Sequence, residues 1–235
     1  MHAEREPSFL LAKPEKRLLR AIARRVPRWI LPDDLTLLGI AAAVAICVAY
    51  QLSNGDRGWL WVASALLVVH WLGDSLDGTL ARVREIQRPR YGYYLDHLVD
   101  AGATAAIGIG LGLSPYMLLS IGTLLVVAYL VLSINVYLES QALGRFSIGY
   151  ALIGPTELRI LLIAVNTALA LGLDMRFELL GTGLTALDVT GVAIAAGMLL
   201  MLAGRAWRSL REIAAEEPAA QRTWVSRRAG GSPTA

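Results

Sequence analysis

WLGDSLDGTLARVREIQRPRYGYYLDHLVD, residues 71–100, carries the pattern D-x2-D-G-x2-A-R-x9-G-x3-D-x3-D. Its fixed positions are Asp74, Asp77, Gly78, Ala81, Arg82, Gly92, Asp96 and Asp100. Each half adjoins a long apolar run, so the four carboxylates lie at the edge of a bilayer and need compensating charge. Divalent cations supply it most simply, and Mg²⁺ or Mn²⁺ prefers all-oxygen ligands. Asp74 and Asp77 are spaced i, i+3, and Asp96 and Asp100 are spaced i, i+4, so each pair shares one helix face. The short connection from Val83 to Tyr91 predicts antiparallel neighbouring helices with their aspartate-bearing ends level. Gly78 and Gly92 leave room for a close approach by backbone or ligand, and Arg82, one turn beyond Gly78, suits a phosphate oxygen. As caps or loop residues, two helix ends would absorb two such aspartates, not four in register with Gly and Arg.

Working outward, 55% of the 235 residues are hydrophobic and the mean hydropathy is +0.52. Apolar runs occupy Leu35–Leu52, Trp59–Leu80, Leu95–Leu113, Tyr116–Leu138, Leu158–Leu173 and Leu184–Ala206. Each approaches the roughly 20 residues that cross a hydrocarbon core of about 30 Å. The reading is an all-α integral membrane protein of six transmembrane helices. With six spans, 20 of the 22 Lys and Arg residues fall on one side, leaving Arg57 and Arg176 on the other. The positive-inside rule then places both termini and the aspartates at the cytoplasmic face. No cleavable signal peptide is expected, because the first 30 residues are charged and lack a continuous apolar stretch. The lone Cys47 excludes a disulfide framework or a cysteine metal site. The chain has no internal repeat, no Walker-type phosphate loop and no nucleic-acid module.

Before the first span, Pro14–Ile30 alternates Leu18, Leu19, Ile22, Val26 and Ile30 with Lys and Arg at helical spacing. This predicts an amphipathic interfacial helix on anionic headgroups, a solvated basic tail being the plainer reading. Asp33 or Asp34 is the expected N-cap of the first span. The chain thus divides into a cytoplasmic segment (1–31), a six-helix membrane domain (32–207) and a cytoplasmic tail (208–235) expected to be disordered beyond Pro218. His70, one turn before Asp74, would orient that carboxylate or simply pack. Glu139, Arg145, Glu157 and Arg159 sit at the cytoplasmic ends of the fourth and fifth spans. They form either a pocket in which Arg145 and Arg159 hold an anionic group or an interfacial ion-pair network. Gly108 and Gly112 form a GxxxG face for close packing within the monomer or across a dimer.

The segment of residues 71–100 resembles the signature of the CDP-alcohol phosphotransferase family, with every fixed position filled. The resemblance implies transfer of a phosphatidyl group from CDP-diacylglycerol to a small alcohol, releasing CMP. It also implies two Mg²⁺ or Mn²⁺ ions on Asp74, Asp77, Asp96 and Asp100, with Asp100 also the general base. Gly78, Ala81, Arg82 and Gly92 would contact the CDP moiety, as would Thr36 from a Pro-Asn-x-x-Thr motif. This chain has Asp33 where Asn is usual, which weakens that position alone. A homodimer in a bacterial inner membrane is implied as well. Asp96-His97 looks like the aminoalcohol phosphotransferases, so CDP-choline or CDP-ethanolamine donating to diacylglycerol is the second reading. A divalent-cation carrier or an inactive lipid-binding scaffold is the alternative of another class.

Overall fold

The computed structural model describes residues 11–144, 154–179 and 181–217. The described chain is mostly helical: α1 (Ala12–Ala23), α2 (Pro32–Leu52), α3 (Trp59–Val83), α4 (Pro89–Gly112), α5 (Leu119–Leu143), α6 (Pro155–Ala170) and α7 (Ala186–Glu216). A two-stranded antiparallel hairpin, β1 (Arg176–Leu179) and β2 (Thr182–Thr185), joins α6 to α7. Each of the six apolar runs falls mainly on one of α2 to α7. Among the described residues, α2, α3, α5 and α7 are long and apolar enough to cross a membrane. Their outer faces expose Leu37, Val44, Val62, Val127, Ile194 and Leu200, the surface of a protein solvated by lipid.

Local chemistry sets the helix ends. Pro32, Pro89 and Pro155 open α2, α4 and α6, where a missing N–H is harmless and φ is already helical. The cap of α2 differs from the sequence expectation. Leu31 is the N-cap, and Asp34 accepts its N–H at 2.8 Å, while Asp33 points to Arg88. The basic helix is also shorter than Pro14–Ile30, ending at Ala23. The residue before Pro27 disfavours helix, and the Arg84 guanidinium binds the carbonyls of Val26, Pro27 and Ile30. Leu19 and Ala23 of α1 are buried against Leu76 and Leu80 of α3, so this helix packs on protein as well as presenting its basic face.

Close backbone approach levels the helices. A Cβ on Gly73 would lie 2.7 Å from Gly39 N and from Leu35 O, so α3 crosses α2 with backbones touching, one residue before Asp74. Gly108 and Gly112 face Val126, Leu119 and Gly122 of α5. Their small-residue face therefore serves packing inside the monomer. A core of Ile46, Tyr50, Leu60, Leu67, Leu111, Tyr116 and Leu169 joins α2, α3, α4 and α6. Buried polar groups within it are paired: Tyr50 donates to Asn166 at 3.0 Å, and Asn166 donates to Ser64 at 3.3 Å, as an apolar surrounding demands.

The loops gather at two ends. At one end Asn54 donates to Leu113 O at 2.9 Å, Arg176 to Pro115 O at 3.1 Å, and Asp188 accepts the Leu118 N–H at 2.7 Å. At the other end Glu15 of α1 accepts from Trp71 of α3 and Thr156 of α6, both at 2.7 Å. The aspartate-bearing ends of α3 and α4 lie at this second end.

Candidate functional site

α3 supplies Asp74, Asp77, Gly78, Ala81 and Arg82 from its last three turns, and α4 supplies Gly92, Asp96 and Asp100 from its first half. The chain turns between them at Glu85, whose φ of 59° is left-handed. The Ile86 N–H there reaches back to Ala81 O at 3.1 Å, a closure that satisfies helix-end carbonyls. The tight α2–α3 crossing brings Thr36 to Asp77: its hydroxyl donates to Asp77 Oδ2 at 2.6 Å, and the Gly78 N–H donates to the other oxygen.

A cavity of about 660 Å³ opens beside these residues. Thr36, Asp77, Gly78, Ala81, Arg82, Gly92 and Asp96 all line it, so seven of the positions singled out from sequence share one wall. A side chain at Gly92 would meet nothing within 4 Å, whereas one at Gly78 would meet the Arg82 guanidinium at 3.4 Å. Arg82 donates to Thr79 Oγ1 at 3.1 Å, keeping its head beside the cavity. Asp33 and Arg88 line the same space, paired through both carboxylate oxygens at 2.6 Å. Arg88 also covers the Tyr91 ring at 3.9 Å.

Asp74 and Asp100 lie outside that lining, and Asp74 turns to Arg159. Arg159 Nη2 donates to Asp74 Oδ2 at 2.6 Å, the two side chains being 12% and 18% exposed. All four aspartates lie within electrostatic reach of their neighbours in the cluster. Among the described residues no three His, Cys, Asp or Glu side chains converge as a ready metal-holding group. The donor set nevertheless suits a hard divalent cation. Ionised carboxylates only accept hydrogen bonds and repel one another, so four gathered at one place call for protons or a divalent cation among them.

The other candidates separate. Arg145 lies outside the described residues. Glu139 binds Arg205 and Ser209 of α7 and Asn135 of its own helix, forming an α5–α7 tie. Glu157 caps the Gly154 N–H and accepts from Leu11 N at 3.1 Å. Of the three described members of that group, Arg159 alone reaches the aspartates. His70 is buried beside Asp74 and Arg159, and His97 stacks between Tyr93 and Tyr137, centroids 4.2 and 4.8 Å away. Sequence reading missed the Arg88–Asp33 tie and the role of Arg84, because nothing local signals contacts 54 or more residues apart.

A family model described as CDP-alcohol phosphatidyltransferase matches residues 29–203. Cholinephosphotransferase 1 of Danio rerio is 30% identical over 95 residues, covering 38% of this chain and 25% of that protein. Phosphatidylinositol phosphate synthase of Cutibacterium acnes (strain DSM 16379 / KPA171202) is 34% identical over 82 residues, covering 35% of this chain and 37% of its own length. The matched stretches thus span about a quarter and just over a third of these curated relatives.

Proposed function

The chain belongs to the CDP-alcohol phosphatidyltransferase family, and we propose that it transfers a phosphatidyl group from CDP-diacylglycerol to a small alcohol. The observation that carries this reading is the cavity shared by Thr36, Asp77, Gly78, Ala81, Arg82, Gly92 and Asp96. It offers carboxylates, an arginine and an open glycine face to a charged nucleotide head.

In this reading six helices cross the bilayer and the aspartates lie at its cytoplasmic edge. The donor keeps its acyl chains in lipid while its CDP head enters the cavity. Asp74, Asp77, Asp96 and Asp100 would hold Mg²⁺ or Mn²⁺, which when bound would supply positive charge to offset that of the pyrophosphate. Thr36 fixes the Asp77 carboxylate through its hydroxyl, and Arg82 holds a phosphate oxygen. Asp100, on the side away from the nucleotide cavity, takes the proton of the acceptor hydroxyl. The acceptor oxygen bonds to the phosphatidyl phosphorus, the bond from that phosphorus to the CMP oxygen breaks, and CMP leaves. Arg159, beside Asp74 and Asp100, favours an acceptor that carries an anionic group.

The aminoalcohol reading, CDP-choline or CDP-ethanolamine donating to diacylglycerol, is kept second on two observations. His97 directly follows Asp96, and one matched relative is named a cholinephosphotransferase. CMP release by detergent-purified protein separates the two. Metal-dependent release with CDP-diacylglycerol and one particular alcohol supports the first, and release only with CDP-choline or CDP-ethanolamine plus diacylglycerol replaces it with the second. Release with neither donor, together with Mn²⁺ uptake into proteoliposomes, would turn the reading to a cation carrier.

A further inference from the structure

Lys13, Arg17 and Arg20 of α1 and Arg24 at its C-cap recur at i, i+4, i+7 and i+11 and are all exposed, so they form one stripe along the helix. The other side of α1 is taken up by protein. Leu19 and Ala23 are buried against α3, and the Glu15 carboxylate accepts from Trp71 of α3 and Thr156 of α6, both at 2.7 Å. The Leu11 N–H adds a bond to Glu157 of α6 at 3.1 Å. α1 is therefore fixed to two helices by one side, with its basic stripe turned outward. Exposed apolar side chains accompany the charges: Leu18, Trp29 and Leu31 are 51%, 79% and 52% exposed. Pro32 follows directly and opens α2, a helix long and apolar enough to cross a membrane. The stripe thus stands where the chain enters the bilayer. Cations beside exposed Trp and Leu at such a point match the headgroup layer, with phosphates for the one and the acyl boundary for the other. An acidic protein surface would match the cations and leave Leu18, Trp29 and Leu31 uncovered.

We propose that this stripe is a docking surface for the headgroups of anionic lipids. Three of its four cations are guanidinium forks, which fit phosphate oxygens better than a point charge does. The surface is built before lipid arrives, so docking carries little ordering cost. Arg84 contributes to this by binding the carbonyls of Val26, Pro27 and Ile30, which fixes the turn that carries Trp29. Docking also reaches beyond α1. Trp71 lies three residues before Asp74, and Thr156 three before Arg159, so lipid held on α1 braces both helices through Glu15. A ligand bound only by the folded chain raises its stability. Lipid docking is therefore read as a melting shift, whether or not the chain transfers a phosphatidyl group.

The test is the melting temperature of the detergent-purified full chain in mixed micelles with phosphatidylcholine or with phosphatidylglycerol. Phosphatidylglycerol should raise it above the phosphatidylcholine value by about 3 °C or more, and about 1 M NaCl should remove most of that rise. The combined variant Lys13→Gln, Arg17→Gln, Arg20→Gln, Arg24→Gln should melt with the unsubstituted chain in phosphatidylcholine and lose the rise in phosphatidylglycerol. Should it melt lower in phosphatidylcholine, the pair Arg17→Gln, Arg20→Gln decides in its place and should keep about half the rise. A control changed at exposed positions of α7, Arg208→Gln with Arg211→Gln, should keep all of it. No rise in the unsubstituted chain, an undiminished rise in the α1 variants, or an equal loss in the α7 control overturns the proposal. Inorganic phosphate in phosphatidylcholine micelles should give no rise, and a rise equal to that with phosphatidylglycerol would replace the lipid surface with a free-anion site. A rise with soluble polyglutamate and none with phosphatidylglycerol would overturn it in favour of an acidic protein partner.

Discussion

Thr36 shows how a single hydroxyl connects two helices to the proposed chemistry. It donates to Asp77 at 2.6 Å from the helix that crosses α3 at Gly73, and a hydrogen bond to a charged group contributes about 1.5–3 kcal/mol. Thr36→Val should therefore lower kcat/KM for the CDP donor by roughly tenfold or more. Thr36→Ser should keep most of it, and steady-state CMP release checks both. Asp100 belongs to the other side of the cluster, outside the cavity lining. Asp100→Asn at saturating Mn²⁺ should reduce turnover by about 100-fold or more, the lower range for loss of a general base. Near-normal turnover there would remove that role. The kinds of residue were legible in the sequence because fixed spacing on two helices constrains which side chains share a face. Their partners were not. Asp33 reads as a helix cap until Arg88 takes it, and Arg159 reads as one of four interfacial charges until α6 delivers it to Asp74.

At the scale of elements, Gly73 sets the geometry that puts Thr36 on Asp77. A methyl group there would meet the backbone of α2 at 2.7 Å, and backbone does not yield as a flexible side chain does. Gly73→Ala should destabilise the protein by about 1–3 kcal/mol, as overpacking of close-fitted interiors does. The melting temperature in detergent should fall and CMP release should drop with it. Gly92→Ala, which meets nothing within 4 Å, should melt at the unsubstituted temperature, so a fall in both variants would deny the α2–α3 contact its role. The helices were readable from apolar runs, and the GxxxG face left open between monomer and dimer is used against α5. The hairpin was not readable, because strands of four residues around Gly181 are too short to impose a periodicity. Nor was the early end of α1, which depends on Arg84 capturing carbonyls more than 50 residues away.

For the whole molecule the question is how many helices cross. Hydropathy singles out α2, α3, α5 and α7. The aspartates and His97 dilute α4, and the 16 residues of α6 rise only about 24 Å, short of a core of about 30 Å. A topology in which only those four cross would leave Leu113 on the side of Arg90, opposite the loop after α2, and would put α6 across the membrane from Asp74. Asn54 bonds Leu113 O at 2.9 Å, and Arg159 bonds Asp74 at 2.6 Å; neither contact survives that arrangement, whereas six crossings keep both. Six crossings, as proposed, would also collect 20 of the 22 basic residues on the aspartate side, the side that the positive-inside rule would make cytoplasmic. In a Cys47→Ser background, single cysteines at Gly55, Leu113 and Leu173 should react with a membrane-impermeant maleimide on intact cells. Cysteines at Arg90 and Glu216 should react only after permeabilisation. Matching behaviour of the cysteines at Arg90 and Leu113 would mean that α4 does not cross. The proposed site would then lose its geometry, because Asp100 meets the membrane edge beside Asp74 only if α4 runs back through the bilayer from that edge.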